Sequence, residues 1–196
     1  MAMGSSLASR KAYALSDDDL ERLLPGTPAL QYSDLGGKSL EQITDGDGNA
    51  VVLFVQEETP TEVVGHWLAV CRQPTGVLLF DPYGSVKPDP WYRNSKELSK
   101  AELAETHQTR PVLEGIVRDA GFEPLFNRTG YQTDRKDVNT CGRHCVVRIW
   151  NAHLNNADYT AALYAAGDNA DTVVTRLTDG VLSGKSRQKY LIEPDT

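Results

Sequence analysis

Cys141 stands at the head of an apolar run, Asn139-Thr140-Cys141-Gly142-Arg143-His144-Cys145-Val146-Val147-Arg148-Ile149-Trp150, with a glycine directly behind it. His66 lies between Gly65 and Trp67 at the start of a strand-like run. Asp81 closes the next such run, in Phe80-Asp81-Pro82-Tyr83-Gly84, and Gln132 precedes Cys141 by nine residues. A histidine, an acid, a glutamine and a cysteine, in that chain order, are the parts of a thiol hydrolase.

Each residue type answers a chemical need. A thiol attacks as its thiolate, so the site must favour the anion. If Asn139 or Thr140 caps a helix, Cys141 falls in its first turn, where the helix dipole favours negative charge. A histidinium from His66 would complete a thiolate–imidazolium pair. In an antiparallel hairpin the start of one strand lies beside the end of the next, so Asp81 can orient His66. The Gln132 side-chain N–H and the Cys141 backbone N–H would hold the oxyanion. Gly142 leaves room for a substrate carbonyl, and Trp67 is placed to shield the site or line the substrate groove. Each of these residues also has a bland reading. Free cysteine is commonly a small buried residue, Asp-Pro-Tyr-Gly is a fair turn, and a glutamine in a charged loop is usually solvated.

The remaining thiols and imidazoles carry less. Cys145 shares a helical face with Cys141 and reads as core, as does Cys71 in mid-strand. A C-x-x-x-C pair with one adjacent histidine lacks the paired spacing of a structural zinc site, so no metal is expected. His144 is nearer to Cys141 in sequence than His66, but it has no orienting acid in strand register. His107 and His153 have no such support either.

The elements that must position these groups are legible in the pattern. Ala50 to Val55, His66 to Arg72 and Val77 to Phe80 read as strands, the last two as a hairpin turned by Pro74-Thr75-Gly76. Phe122 to Phe126 reads as a further short strand. Helices are expected from Ser16 to Leu24, from about Lys38 to Ile43, over 99–107 and 112–120, from Cys141 to about His153, and over 157–166 and 169–182. Residues 85–98 are polar and proline-bearing, and 131–138 is a charged loop. Central strands surrounded by helices give an α+β domain.

The bulk properties narrow the class. The chain has 196 residues, 40% of them hydrophobic, enough for one domain with a proper core. Residues 1–12 are expected to be loose, leaving one domain over 13–196. A formal net charge of -7 makes nucleic acid a poor expected partner. No run approaches the length of a membrane span. Three cysteines without a signal peptide point to reduced thiols in a cytosol-like compartment.

Taken together, His66-Trp67, Asp81-Pro82-Tyr83-Gly84, Gln132 and Thr140-Cys141-Gly142 resemble the adenain/Ulp1-like clan of cysteine proteases. The resemblance is to adenain-like maturation proteases of adenoviruses, large DNA viruses and related elements. It spans roughly residues 50–150 and extends forward through Leu30-Gln31-Tyr32-Ser33-Asp34-Leu35. It implies a central mixed sheet flanked by helices, with the nucleophile on a buried helix. It also implies Cys141 as nucleophile, His66 as base, Asp81 as orienting acid and Gln132 as oxyanion donor, with no cofactor. Family substrates carry glycine near the cleaved bond because the groove is narrow. Members cleave viral precursor proteins during maturation, in the virion and the infected cell, or release ubiquitin-like modifiers. Adenain uses DNA and a short peptide as activators; the acidic charge here argues against DNA and leaves an activating peptide as a partner to look for. The segment from Gln132 to Cys141 is a little longer than the family's and carries Asp134, Arg135, Lys136 and Asp137. Three other readings stay open: a deconjugating isopeptidase for ubiquitin or a SUMO-like modifier, an acetyltransferase on the same scaffold, and an inert capsid or binding protein that keeps the fold.

Overall fold

The structure, a computed structural model, describes residues 6–58, 63–165, 167–186 and 190–192. In chain order the helices are α1 (Leu7–Ala12), α2 (Asp17–Leu23), α3 (Leu40–Ile43), α4 (Trp91–Asn94), α5 (Lys100–Glu105), α6 (Leu113–Asp119), α7 (Cys141–Trp150), α8 (Asn156–Ala165) and α9 (Ala170–Leu182). The strands are β1 (Ala29–Gln31), β2 (Ala50–Glu58), β3 (Val63–Gln73), β4 (Gly76–Phe80) and β5 (Pro124–Phe126). Among the described residues they form one five-stranded sheet in the order β1-β2-β3-β4-β5. β2, β3 and β4 pair antiparallel, while β1 joins β2 and β5 joins β4 in parallel. The molecule is thus an α+β fold on a mixed sheet, as expected from the sequence.

Strand alternation sends side chains to two cores. Val51, Trp67, Ala69, Cys71, Leu78 and Phe80 pack with α7 and α9 on one face. Val52, Phe54, Leu68, Val70, Val77 and Leu79 pack on the other with residues of α3, α5 and α6. A sheet covered on both faces explains why its central strands read as nearly unbroken apolar runs.

α7 is buried along its whole length, which its two arginines make possible. Arg143 donates to Thr178 and to the Asp179 carboxylate, at 2.5 and 2.7 Å. Arg148 donates to the carbonyls of Asn151 and Leu154 just beyond the helix end, at 2.6 and 2.8 Å, and its guanidinium lies over the Tyr159 ring. A cation placed on the carbonyl end of a helix meets the negative pole of its dipole.

Two expectations need correction. Leu7–Ala12, inside the stretch read as a loose terminus, forms α1. Ser6 caps it, and the Lys11 carbonyl in its last turn accepts from the Asn139 N–H at 2.8 Å; residues 1–5 lie outside the described residues. The proline-bearing stretch after β4 holds α4, which no helical periodicity announces because it is four residues long. The helix expected over 157–166 is described to Ala165, and its final position lies outside the described residues.

Candidate active site

β3 and β4 bring His66 and Asp81 together. Their ladder pairs Ala69 with Phe80, so the chain beyond Phe80 runs alongside His66. His66 Nε2 lies 2.9 Å from Asp81 Oδ1, both side chains being buried. With Nε2 committed to the carboxylate, Nδ1 is the ring nitrogen left for the sulfur of Cys141. Burial alone would push the imidazole down. The Asp81 charge and hydrogen bond, helped by Cys141, outweigh it and push His66 up to about 9.

Cys141 is the first residue of α7 and is hydrogen-bonded to His66. Burial would raise the thiol, but the bond and charge of His66, with the backbone N–H groups of Trp67 and Gly142, bring it below its ordinary value. The His66 imidazole and the Cys141 thiol therefore shift in opposite directions, each toward its charged form. Thr140 occupies the N-cap position and its carbonyl accepts from the His144 N–H at 2.9 Å, but its hydroxyl does not cap the helix and donates instead to Asp171 on α9 at 2.5 Å. Asn139 reaches back to the Ala12 carbonyl at 2.9 Å. The expected side-chain capping by either residue is thus replaced by anchoring of the start of α7 to α9 and to the last turn of α1.

The turn after Asp81 positions Gln132. The Pro82 carbonyl accepts from the N–H groups of Tyr131 and Gln132, at 2.7 and 3.0 Å. The two segments meet so closely that a Cβ on Gly84, which has φ 78°, would lie 2.7 Å from the Arg128 carbonyl. Gln132 is buried, and its Nε2 donates to Tyr83 Oη at 3.1 Å and to the Val138 carbonyl at 3.2 Å. Its Oε1 is buried without a hydrogen-bond partner.

Several further groups surround the pair that were not among the expected site residues. The Tyr83 ring stacks on His66 with centroids 4.7 Å apart, and the Arg93 guanidinium sits 4.1 Å from the Tyr83 centroid. The Tyr83 N–H donates to Asp81 Oδ1 at 2.8 Å. Asn94 Nδ2 donates to Asp81 Oδ2 at 3.0 Å. Asn127 holds the backbone of Asp81, accepting from its N–H at 3.0 Å and donating to its carbonyl at 2.7 Å.

The other candidates are occupied elsewhere. His144 Nε2 lies 3.0 Å from Asp171 Oδ1, and burial drives this imidazole below its ordinary value. Cys145 and Cys71 are fully buried, and burial pushes both thiols up, Cys71 to about 12. Among the described residues no group of three or more His, Cys, Asp or Glu is placed to hold a metal ion. None of the described helices is long and apolar enough to cross a membrane.

Cys141 and Trp67 line a cleft of about 710 Å³, walled by Leu15, Asp17, Leu30, Leu53 and Val64 among others. Gly142 supports that wall from behind: a Cβ there would lie 3.3 Å from Trp67 Cδ1 and 3.4 Å from Leu15 Cβ. A larger depression of about 890 Å³ between β5 and α8 holds none of the paired groups. Chemistry rather than volume marks the site.

No protein-family model matches the chain. It is 26% identical over 120 residues to "Uncharacterized protein V9" of the Sputnik virophage. The match covers 60% of this chain and 63% of that protein, so the chain spans less than two thirds of its relative's length. A virophage protein is therefore among the chain's relatives.

Proposed function

We propose that the chain is a cysteine endopeptidase acting by acyl transfer. One observation carries this reading: a buried imidazole held by a carboxylate at 2.9 Å on one side and hydrogen-bonded to the first thiol of a helix on the other. Opposite pKa shifts favour the thiolate–imidazolium pair that such a nucleophile requires. The Cys141 thiolate attacks the scissile carbonyl. Gln132 exchanges its bond to Tyr83 for one to the oxyanion, beside the Cys141 N–H. His66 protonates the leaving amine and then activates the water that releases the acyl group. Trp67 and the residues across the cleft hold an extended polypeptide with glycine near the cleaved bond. Its proposed substrates are viral precursor proteins, cleaved in the virion or the infected cell; the virophage relative bears on the viral setting alone.

Digestion of a mixed peptide library, read by mass spectrometry, tests this. Cleavage next to glycine that is abolished by Cys141→Ala is the expected result. Undiminished cleavage by Cys141→Ala removes the proposal. Rapid labelling by a ubiquitin-like electrophilic probe, with no library cleavage, would replace the endopeptidase by a deconjugating isopeptidase on the same four residues.

A further inference from the structure

The bonds around Asp81 single out Asn94. Oδ1 of Asp81 faces His66 and accepts the Tyr83 N–H, while Oδ2 takes one hydrogen bond among the described residues, from Asn94 Nδ2. Asn94 is fully buried at the end of α4. Its amide has one consistent orientation. Nδ2 also lies 3.0 Å from the Pro90 carbonyl, which can only accept, and Oδ1 lies 3.3 Å from Arg93 Nη1, which can only donate. α4 is itself pinned by buried Asp89, whose Oδ1 accepts from the Trp91 N–H at 2.9 Å and from the Tyr32 hydroxyl at 2.8 Å. Trp91 Nε1 adds a bond to the Gln108 carbonyl at 2.7 Å.

We infer that Asn94 is a positioning residue: it fixes the plane of the Asp81 carboxylate so that Oδ1 is aimed at His66, and through that pair it maintains the reactive thiolate of Cys141. The inference rests on the thiol-protease reading and deepens it. An amide whose nitrogen is locked toward the carboxylate cannot turn to offer its oxygen, so it supports the charged partner of the imidazolium and no other state. The other titratable or charged groups around the pair are Cys141, Cys145 and His144 on α7, Tyr83 in the turn after β4, and Arg93 on α4. Of these, none bonds to Asp81 Oδ2.

The test is the pH dependence of Cys141 alkylation by iodoacetamide in the full chain, with thermal unfolding as the check on folding. Wild type is expected to reach a plateau of reactivity below the pH at which an ordinary thiol ionises, because the thiolate persists as an ion pair with His66. In Asn94→Ala the neutral-pH rate should fall roughly tenfold, with full reactivity returning only where an ordinary thiol ionises, since a hydrogen bond to a charged group is lost. Asn94→Asp, nearly the same size, keeps a donor only while it carries a proton. It should match wild type at the acid end and fall away as that proton leaves. A folded Asn94→Ala with the wild-type plateau overturns the inference, and a flat wild-type-like profile in Asn94→Asp overturns it where the alanine variant does not fold. A wild-type chain whose Cys141 titrates as an ordinary thiol overturns the protease reading, and this inference with it.

Discussion

His66 Nε2 and Asp81 Oδ1 meet at 2.9 Å although the β3–β4 ladder ends at the pair Ala69 and Phe80. The contact is made just past the ladder, where β4 has given way to a turn and the carboxylate can swing toward the ring. The ring orientation is thereby fixed, leaving Nδ1 for the sulfur.

Asp81→Asn keeps the size of the side chain and removes its charge. It also sets an amide against the donors of Tyr83 and Asn94. Cleavage should fall about 10²- to 10⁴-fold, the usual scale for losing a correctly poised base. Single-turnover rates on a peptide cleaved by wild type measure it.

The pH dependence has a definite sign. His66 is raised above its ordinary 6.5 to about 9, so its pairing stabilises the fold fully below 6.5 and is lost as pH rises through about 9. Cleavage should decline over the same alkaline range as the imidazolium loses the proton it gives to the leaving amine. Thermal midpoints and initial rates, each measured from neutral to alkaline pH, should fall together.

Asp171 ties α9 to the nucleophile's helix. It accepts from the Thr133 N–H and hydroxyl at 3.1 and 2.6 Å, from the Thr140 hydroxyl at 2.5 Å, and pairs with His144. Burial opposes its charge, but the His144 bond and the threonine donors overcome that and hold the carboxyl well below its ordinary 3.8. Its stabilising contribution is therefore present above 3.8 and is lost as pH falls toward that depressed value. Asp171→Ala should cost roughly 3 kcal/mol in urea unfolding, because several buried donors lose their acceptor together.

Gly142→Val would press two further methyl groups into contacts already at 3.3 and 3.4 Å from Trp67 and Leu15. Overpacking of this kind costs about 1–3 kcal/mol, more than the helix gains from losing a glycine. Chemical denaturation should show the loss, and Trp67 fluorescence should change with it.

Much of this site could be read from the chain because its parts sit at strand ends and at a helix start, which leave local signatures. The hairpin holding His66 and Asp81 follows from two apolar runs and one turn. The start of α7 at Cys141 follows from the periodicity behind it. Asn94 and Asn127 could not be found that way. They reach Asp81 from 13 and 46 residues away, and a buried amide looks in sequence like any solvated one. Tyr83 was visible only as a turn residue, since its stacking on His66 depends on how the turn folds over the ring. The helix cap was misread for a related reason: Thr140 has the residue type of a cap, but Asp171 on a distant helix offers its hydroxyl a charged acceptor.

Because α7 is enclosed on every side, its amide hydrogens should exchange with solvent only through openings close to complete unfolding. The neighbouring stretch 133–137 is exposed and should exchange far sooner. A rim open to solvent thus borders a helix sealed from it, with buried Gln132 at the boundary between the two.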